Sequence, residues 1–515
     1  MAIDRTEHTL GSDVQVESGI VHGLPRDEHG VLAFKGIPYA AAPVGELRWR
    51  APQPAPAWNG VRDATRYGNR AHSALTGDQM PGPPRSEDCL NLNMWTAARS
   101  SDERRPVMVW IHGGGFQFGS SAMPVSDGTR LAASGAVVVS MNYRVGVLGF
   151  LAHPDLDGEG PSGNYGLQDQ IAALRWVQAN VASFGGDPDN VTVFGESAGA
   201  HAIGILLASP LTRGLIHKAI GQSGAFWDTI HGSLSTFDEA RTRGRRFAER
   251  LQAPSIAALR ALPAEDVNAA APWDFSRDPA ATAFSPSIDR YVVPDVPMAS
   301  YLRGEQLCVP LLAGWNGAEH FPFHDMALPH ATAEEFLRAA ERMFGAGRLA
   351  EFLELYPAGS DAEAGASAQE LAGDLLISAQ IRDWLEVQQQ TVKSVYGYTF
   401  TYTSPYVPIA SHVVEIAFVF GTLTPQFIVN GAMPPADADR ALAETMMAYW
   451  VNFATNGDPN GAGLPHWPAY RSDGRVMNFG AATGPQDNAW GPRFRFLSSY
   501  RTAGVLPHAW REGAS

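Results

Sequence analysis

The chain has little that would tie it to a membrane, a nucleic acid or an oxidising compartment. Across its 515 residues no stretch reaches the roughly 20 consecutive apolar residues that cross a bilayer. The opening MAIDRTEHTLGSDVQVESG lacks the apolar core of a secretory signal. Cysteine is scarce: Cys89 and Cys308 lie far apart and supply no disulfide framework, which suits a reducing compartment. Lysine is almost as scarce, with Lys35, Lys218 and Lys393 the full set. Lysine and arginine together number 38 against 53 acidic residues, a formal net charge of -15 that repels phosphate backbones and anionic lipid. Neither nucleic acid nor a membrane is therefore expected as a partner. A neutral or cationic small molecule fits better, and the expected setting is cytoplasmic, although a leader removed before this start would leave the same sequence.

What is present is an ordinary globular composition, 45% hydrophobic and 18% charged, without internal repeats. Apolar strand-like runs alternate with helical patterns through the first half, the signature of βαβ units in a mostly parallel sheet. The clearest strands are Val107 to Ile111, Ala136 to Ser140 and Val191 to Phe194. Between the last two, Leu167 to Val181 places Ile171, Leu174, Val177 and Val181 on one helical face, as a crossover helix requires. Later strands are predicted at Val309 to Ala313 and Val395 to Tyr402. Gly158 to Gly163 and Ala358 to Ser367, rich in small and polar residues, read as surface loops. The expectation is one α/β catalytic domain over residues 10–510, with helical cap segments near 225–300 and 320–390. The densest basic stretch, Arg241, Arg243, Arg245, Arg246 and Arg250, reads as a solvated helix face; a carboxylate-binding patch is the alternative.

The chemistry begins at Gly195-Glu196-Ser197-Ala198-Gly199, directly after the Val191 to Phe194 strand and directly before the helical pattern AHAIGILLA. A strand-to-helix turn this tight presents a serine hydroxyl to substrate, and the flanking glycines leave room for it. Attack on a carbonyl puts charge on its oxygen, so fixed N–H donors are needed next. His112-Gly113-Gly114-Gly115-Phe116, after the Val107 to Ile111 strand, offers them. The amides of Gly114, Gly115 and Ala198 are the candidate oxyanion donors, whereas His112 is read as structural. In an α/β-hydrolase order of serine, acid, histidine, the base lies downstream of Ser197.

From here the residues resemble a family, the type B carboxylesterase or cholinesterase-like group of α/β hydrolases, in its bacterial para-nitrobenzyl-esterase-like form. The likeness runs through Phe34 to Pro52 (FKGIPYAAAPVGELRWRAP), Ser86 to Trp95 (SEDCLNLNMW), the glycine loop and Asn142 to Phe150 (NYRVGVLGF). It continues through Gly163 to Asp169 (GNYGLQD), Phe184 to Ala200, Gly221 to Gly224 (GQSG), Tyr449 to Pro459 and Trp467 to Tyr470. The resemblance implies a serine, glutamate and histidine triad that needs no metal or organic cofactor. Gly314 to Glu319 (GWNGAE) is similar to the family's acid motif and carries that role onto Glu319, with His320 where glycine is usual and Asp325 as the fallback acid. Ser411 to Gly421 (SHVVEIAFVFG) places the base at His412, with Val413 in place of the usual glycine. Glu196 and Ser223 resemble residues that line the buried site and support the histidine.

The segment Glu319, His320, His324, Asp325 also invites a metal reading, but Pro322 argues against the helix it needs, and the triad accounts for the segment without a metal. Residues 71–89 hold no aromatic residue where cholinesterases place a tryptophan for a quaternary ammonium, so choline esters are disfavoured. They also hold no second cysteine to pair with Cys89. Phe116, Phe118, Phe226, Trp227, Trp315, Phe321 and Phe323 adjoin the motifs and suggest an aromatic-lined pocket. The expected activity is hydrolysis of uncharged or bulky carboxylic esters. Aryl carbamates or amides are the alternative substrates, and a silent adhesion protein is disfavoured because such relatives lose the nucleophile.

Overall fold

In a computed structural model, the chain is described over residues 10–75, 80, 82–226, 234–273, 284–323, 328, 331–424, 433–471, 473–487 and 491–502. The centre is a ten-stranded sheet. Its strands are β1 (Leu32–Pro38), β2 (Asn91–Thr96), β3 (Arg105–Ile111), β4 (Val137–Met141), β5 (Gly186–Glu196), β6 (Lys218–Gln222), β7 (Leu311–Asn316), β8 (Val395–Phe400), β9 (Val476–Phe479) and β10 (Gly484–Gln486). Across the sheet they follow the order β10-β9-β8-β7-β6-β5-β3-β4-β2-β1. The strands from β4 across to β9 pair in parallel, while β1, β2 and β10 pair antiparallel and close the two edges.

The central strands read as unbroken apolar runs because both their faces are covered. On β3, Val107, Val109 and Ile111 enter one hydrophobic layer and Met108 and Trp110 the other. The first layer is built with α1 (Tyr165–Asn180) and α2 (Ala198–Ala208). The second is closed by α6 (Asp437–Asn456), whose Trp450 and Phe453 are fully buried. Between them in sequence lie α3 (Phe237–Arg250), α4 (Asp361–Gly373) and α5 (Ala379–Gln388), and α7 (Gly491–Thr502) follows α6. A π-helical turn, Asp374–Ser378, joins α4 to α5.

Three sequence expectations are corrected. Ala358 to Ser367 is not a loop, since α4 starts at Asp361 with the Ser360 hydroxyl accepting from the Glu363 amide. Alanine, at 362, 364 and 366, is the best helix former once the start is capped, and it outweighs the glycine and serine between. The β7 strand begins at Leu311, after Pro310, and runs on to Asn316. His320–Phe323 does form one helical turn despite Pro322, because a proline in a first turn removes an N–H that has no intrahelical partner.

Candidate functional site

Loops at the C-terminal ends of four neighbouring parallel strands, β3, β5, β6 and β7, gather at the same end of the sheet, and the segment after β8 joins them. Strand order reverses between β3 and β5, the place where open α/β sheets bind their ligands. The glycine loop leaves β3 and the serine turn leaves β5.

Ser197 links β5 to α2 with φ 53° and ψ -124°, a left-handed conformation that a non-glycine residue holds only when its surroundings impose it. Its amide donates to Gln222 O at 2.9 Å, fixing the turn to β6. The flanking glycines are required by space. A Cβ at Gly199 would stand 2.0 Å from Ile111 O, and one at Gly195 would stand 2.8 Å from Gly199 C. Gly224, just past β6, does the same, since a Cβ there would meet Ser197 O at 2.5 Å. The amide of Ala198 opens α2, where unpaired N–H groups favour negative charge.

The glycine loop closes over the same turn. A Cβ at Gly113 would meet Glu196 Oε2 at 2.6 Å and Ser197 Cβ at 3.1 Å, so the loop backbone rests directly on the serine. Gly114 and Gly115 follow with φ 109° and 60°. His112 anchors the loop as the sequence suggested: its buried ring stacks on Tyr143 at 4.4 Å, and the Tyr143 hydroxyl donates to His112 O at 2.8 Å. Burial lowers its pKa to about 4, so the ring is neutral.

Glu319 follows β7 and His412 follows β8, and the two side chains meet although 93 residues separate them. His412 Nδ1 lies 2.6 Å from Glu319 Oε2, and Glu319 Oε1 accepts from the Asn316 amide at 2.6 Å. On the other side of the ring, His412 Nε2 lies 3.1 Å from Glu196 Oε1. All three side chains are buried. Burial alone would lower the His412 pKa, but Glu196, Glu319 and Glu415 outweigh it and raise the imidazole to about 9. Burial also pushes the Glu196 carboxyl well above its usual range, so the pair titrates as a unit. Val413, in the place where the family has glycine, sits at φ 71°, a strained conformation for a β-branched residue.

A polar chain behind the histidine was not anticipated. Trp450 Nε1 donates to Gln222 Oε1 and Gln222 Nε2 to Glu415 Oε1, each at 3.2 Å. Asn316 Nδ2 donates to Glu415 Oε2 and, at 2.8 Å, to Ser411 O beside His412. Gln222 and Asn316 are the last residues of β6 and β7, and only the folded chain brings Glu415, from the segment after β8, and Trp450, from α6, against them. Trp273 is a second omission. Its amide donates to Ala74 O at 2.7 Å, and its indole stands 3.4 Å from where a Gly115 Cβ would be, 6.0 Å from the Phe118 ring.

Of the other candidates Ser223 stays beside the serine turn, between Gln222 and Gly224, and the aromatic ones are dispersed. Ser223 is buried at φ 50°, with its amide donating to Gly314 O at 2.8 Å. Phe116 is fully buried against Phe150, and Trp315 lies inside β7 against Phe494, so both pack in the interior. Phe226 packs against Tyr301. Phe321 is 36% exposed. Trp227, His324 and Asp325 and the side chain of Phe323 lie outside the described residues. Among the described residues no group of three His, Cys, Asp or Glu is placed to hold a metal ion, and no helix is long and apolar enough to cross a membrane. In the basic stretch, which forms α3, Arg241 pairs with Asp157 at 2.7 Å and Arg250 donates to Ala270 O at 2.8 Å.

The sheet and its helices are an α/β-hydrolase fold, and the molecule is a carboxylic-ester hydrolase of the serine type. The chain belongs to the carboxylesterase family, whose model matches residues 11–489. It is 38% identical over 491 residues to the fumonisin B1 esterase of Sphingopyxis macrogoltabida, covering 91% of this chain and 86% of that one. It is 35% identical to the phenmedipham hydrolase of Pseudarthrobacter oxydans, covering 87% and 90%. A solved PNB esterase superposes with a TM-score of 0.82 at 33% identity, covering 94% of this chain and 99% of the other.

Proposed function

We propose that Ser197, His412 and Glu319 hydrolyse carboxylic esters through a serine acyl-enzyme. The observation that carries this reading is the 2.6 Å contact of Glu319 with His412 Nδ1, which turns Nε2 toward the Glu196–Ser197 turn. His412 Nε2 takes the Ser197 Oγ proton as Oγ attacks the carbonyl carbon. The oxyanion is received by the amides of Gly114, Gly115 and Ala198, each donor of this kind contributing about 3 kcal/mol or more. The imidazolium then protonates the departing alkoxide. Water, deprotonated by the same nitrogen, cleaves the acyl-enzyme and releases the acid. Glu319 fixes the ring tautomer, and Ser223 supports the site. The helical segments within 225–300 and 320–390 roof the single catalytic domain, a placement supported by Trp273 lying on the glycine loop. The substrate is a small ester, and no cofactor, nucleic acid or protein partner is invoked. A bacterial-type, cytoplasmic enzyme is proposed with this, supported by the free thiols of Cys89 and Cys308. A serine-reactive fluorophosphonate tests the assignment. It should label the native protein and fail to label Ser197→Ala, and an unlabelled native protein would remove the reading.

The carboxylate beside Nε2 sets the pH dependence. Glu196 stabilises imidazolium, so removing its charge lowers the His412 pKa and frees the base at lower pH. Glu196→Gln is expected to move the acid limb of the kcat/KM profile down by about one pH unit or more. An unchanged midpoint would show that another group controls it.

A second reading, hydrolysis of aryl carbamates by the same triad, is favoured by the relative named as a phenmedipham hydrolase. The leaving group is the same phenol and only the acyl group changes. Matched p-nitrophenyl acetate and p-nitrophenyl N-methylcarbamate should both release p-nitrophenol, the carbamate with slower deacylation, because its nitrogen lone pair makes the carbonyl less electrophilic. A full burst without turnover would assign the carbamate as an inhibitor only.

A further inference from the structure

The end of α4 presents a helical residue without a side chain to the acid of the site. Gly373 has φ -60° and ψ -43°, ordinary right-handed helix, so its backbone does not call for glycine. Glycine inside a helix is disfavoured against alanine, which leaves space as the reason for it. A Cβ there would stand 2.8 Å from His320 N, 3.2 Å from Glu319 Cβ and 3.3 Å from Glu319 C. The acid's own backbone and the root of its side chain therefore rest on the helix. Gly365, earlier in α4, has nothing within 4 Å of its Cβ position.

The helix is fixed at this point from below. Immediately after Gly373 the π-helical turn begins, a wide turn of the kind found frequently at functional sites. Its first residue, buried Asp374, accepts from the Tyr356 hydroxyl at 2.7 Å and lies 3.7 Å from Arg493 Nη1 on α7. Arg493 Nη1 also donates to Glu370 at 2.8 Å. From above, the Glu319 carboxylate is held by the Asn316 amide and by His412, while the Ala318 amide donates to Ala410 O at 2.8 Å, tying the acid turn to the histidine segment.

We infer that Gly373 is a positioning residue for Glu319: its bare Cα lets the acid settle on the α4 end, and this contact sets the reach of the carboxylate to His412. Any Cβ at 373 lifts residues 319 and 320 by a few tenths of an ångström and lengthens the hydrogen bond to Nδ1. The inference rests on the triad reading above, and its test separates the two.

Gly373→Ala is expected to lower kcat about 10- to 100-fold with KM within about twofold, since a small misplacement of a catalytic group carries penalties of this order. The acid limb of the pH profile should move down, because a loosened carboxylate raises the imidazole pKa less. Gly365→Ala, in the same helix, should leave both unchanged. In a Glu319→Gln background Gly373→Ala should cost nothing further, the non-additivity of residues acting through one group. Tyr356→Phe, which loosens Asp374 without adding volume, gives a second route if Gly373→Ala is insoluble: a few-fold loss that disappears in the Glu319→Gln background. Additive losses in the double variant, or a wild-type kcat and pH profile in Gly373→Ala, would overturn the inference and leave the triad standing. Full activity in Glu319→Gln alone would overturn the triad reading instead.

Discussion

Ser197→Ala is expected to cut the turnover of a short p-nitrophenyl acyl ester at pH 8 by about 10⁵- to 10⁶-fold, leaving the fold intact. The size follows from what remains. Without Oγ no acyl-enzyme forms, and the imidazole is left to direct water at a carbonyl that the Gly114, Gly115 and Ala198 amides still polarise. Donors and binding alone retain roughly 10³- to 10⁴-fold over the uncatalysed reaction. Alanine removes one oxygen from a turn whose neighbours are already crowded by Ile111 O and Gly113, so no cavity of consequence opens. The strained φ of 53° at residue 197 is no easier for alanine than for serine, and thermal stability should change little. Activity within about tenfold of wild type would place the nucleophile elsewhere.

Glu319→Gln should lower kcat about 10⁴-fold under the same conditions, with KM nearly unchanged. Glutamine matches the shape of glutamate, but its amide offers a donor or an acceptor to Nδ1 where the carboxylate offers only acceptors. The Asn316 amide already donates to Oε1, which turns the glutamine NH₂ toward His412 Nδ1 and selects the tautomer with its proton on Nε2, where the Ser197 proton must arrive. Imidazolium also loses the stabilisation that helps raise its pKa to about 9. Both losses fall on the transition state and leave ground-state binding alone, hence the effect on kcat. Wild-type activity in this variant would transfer the acid role to Asp325 or another carboxylate.

The parts of the site legible from the sequence are those whose constraint is local. Gly195 to Gly199 announces itself because one tight turn imposes all its requirements within five residues, and the glycine loop after β3 does so for the same reason. Glu319 and His412 came from the family resemblance, since neither spacing nor composition picks one glutamate to meet one histidine 93 positions later. Gln222, Asn316 and Glu415 stand inside motifs that the resemblance picks out, but their bonding to one another is not legible there, because a polar residue becomes meaningful only when the fold sets a distant one against it. The aromatic candidates show the opposite limit. Phe116 and Trp315 adjoin the motifs in sequence, yet adjacency does not tell which face of a strand or loop a ring takes, and both are buried in packing. Within the fold, the alternation of strands and helices revealed the central parallel strands. It did not reveal the antiparallel edge of β1 and β2, whose partners are distant, nor the helix at Asp361, where small residues suit either a loop or a capped helix.

The placement of the working groups on five successive strand ends has a consequence for synthesis of the protein. The glycine loop emerges from the ribosome first, the nucleophile about 80 residues later, and the base more than 200 residues after the nucleophile, so a nascent chain carries a reactive-looking serine turn with nothing to deprotonate it. Parallel pairing between distant strands forms late and slowly, and His412 reaches its place only once β8 has added beside β7. On the proposed triad, the growing chain is expected to stay inert toward esters until the sheet is nearly complete, and the onset of ester hydrolysis should report the end of folding.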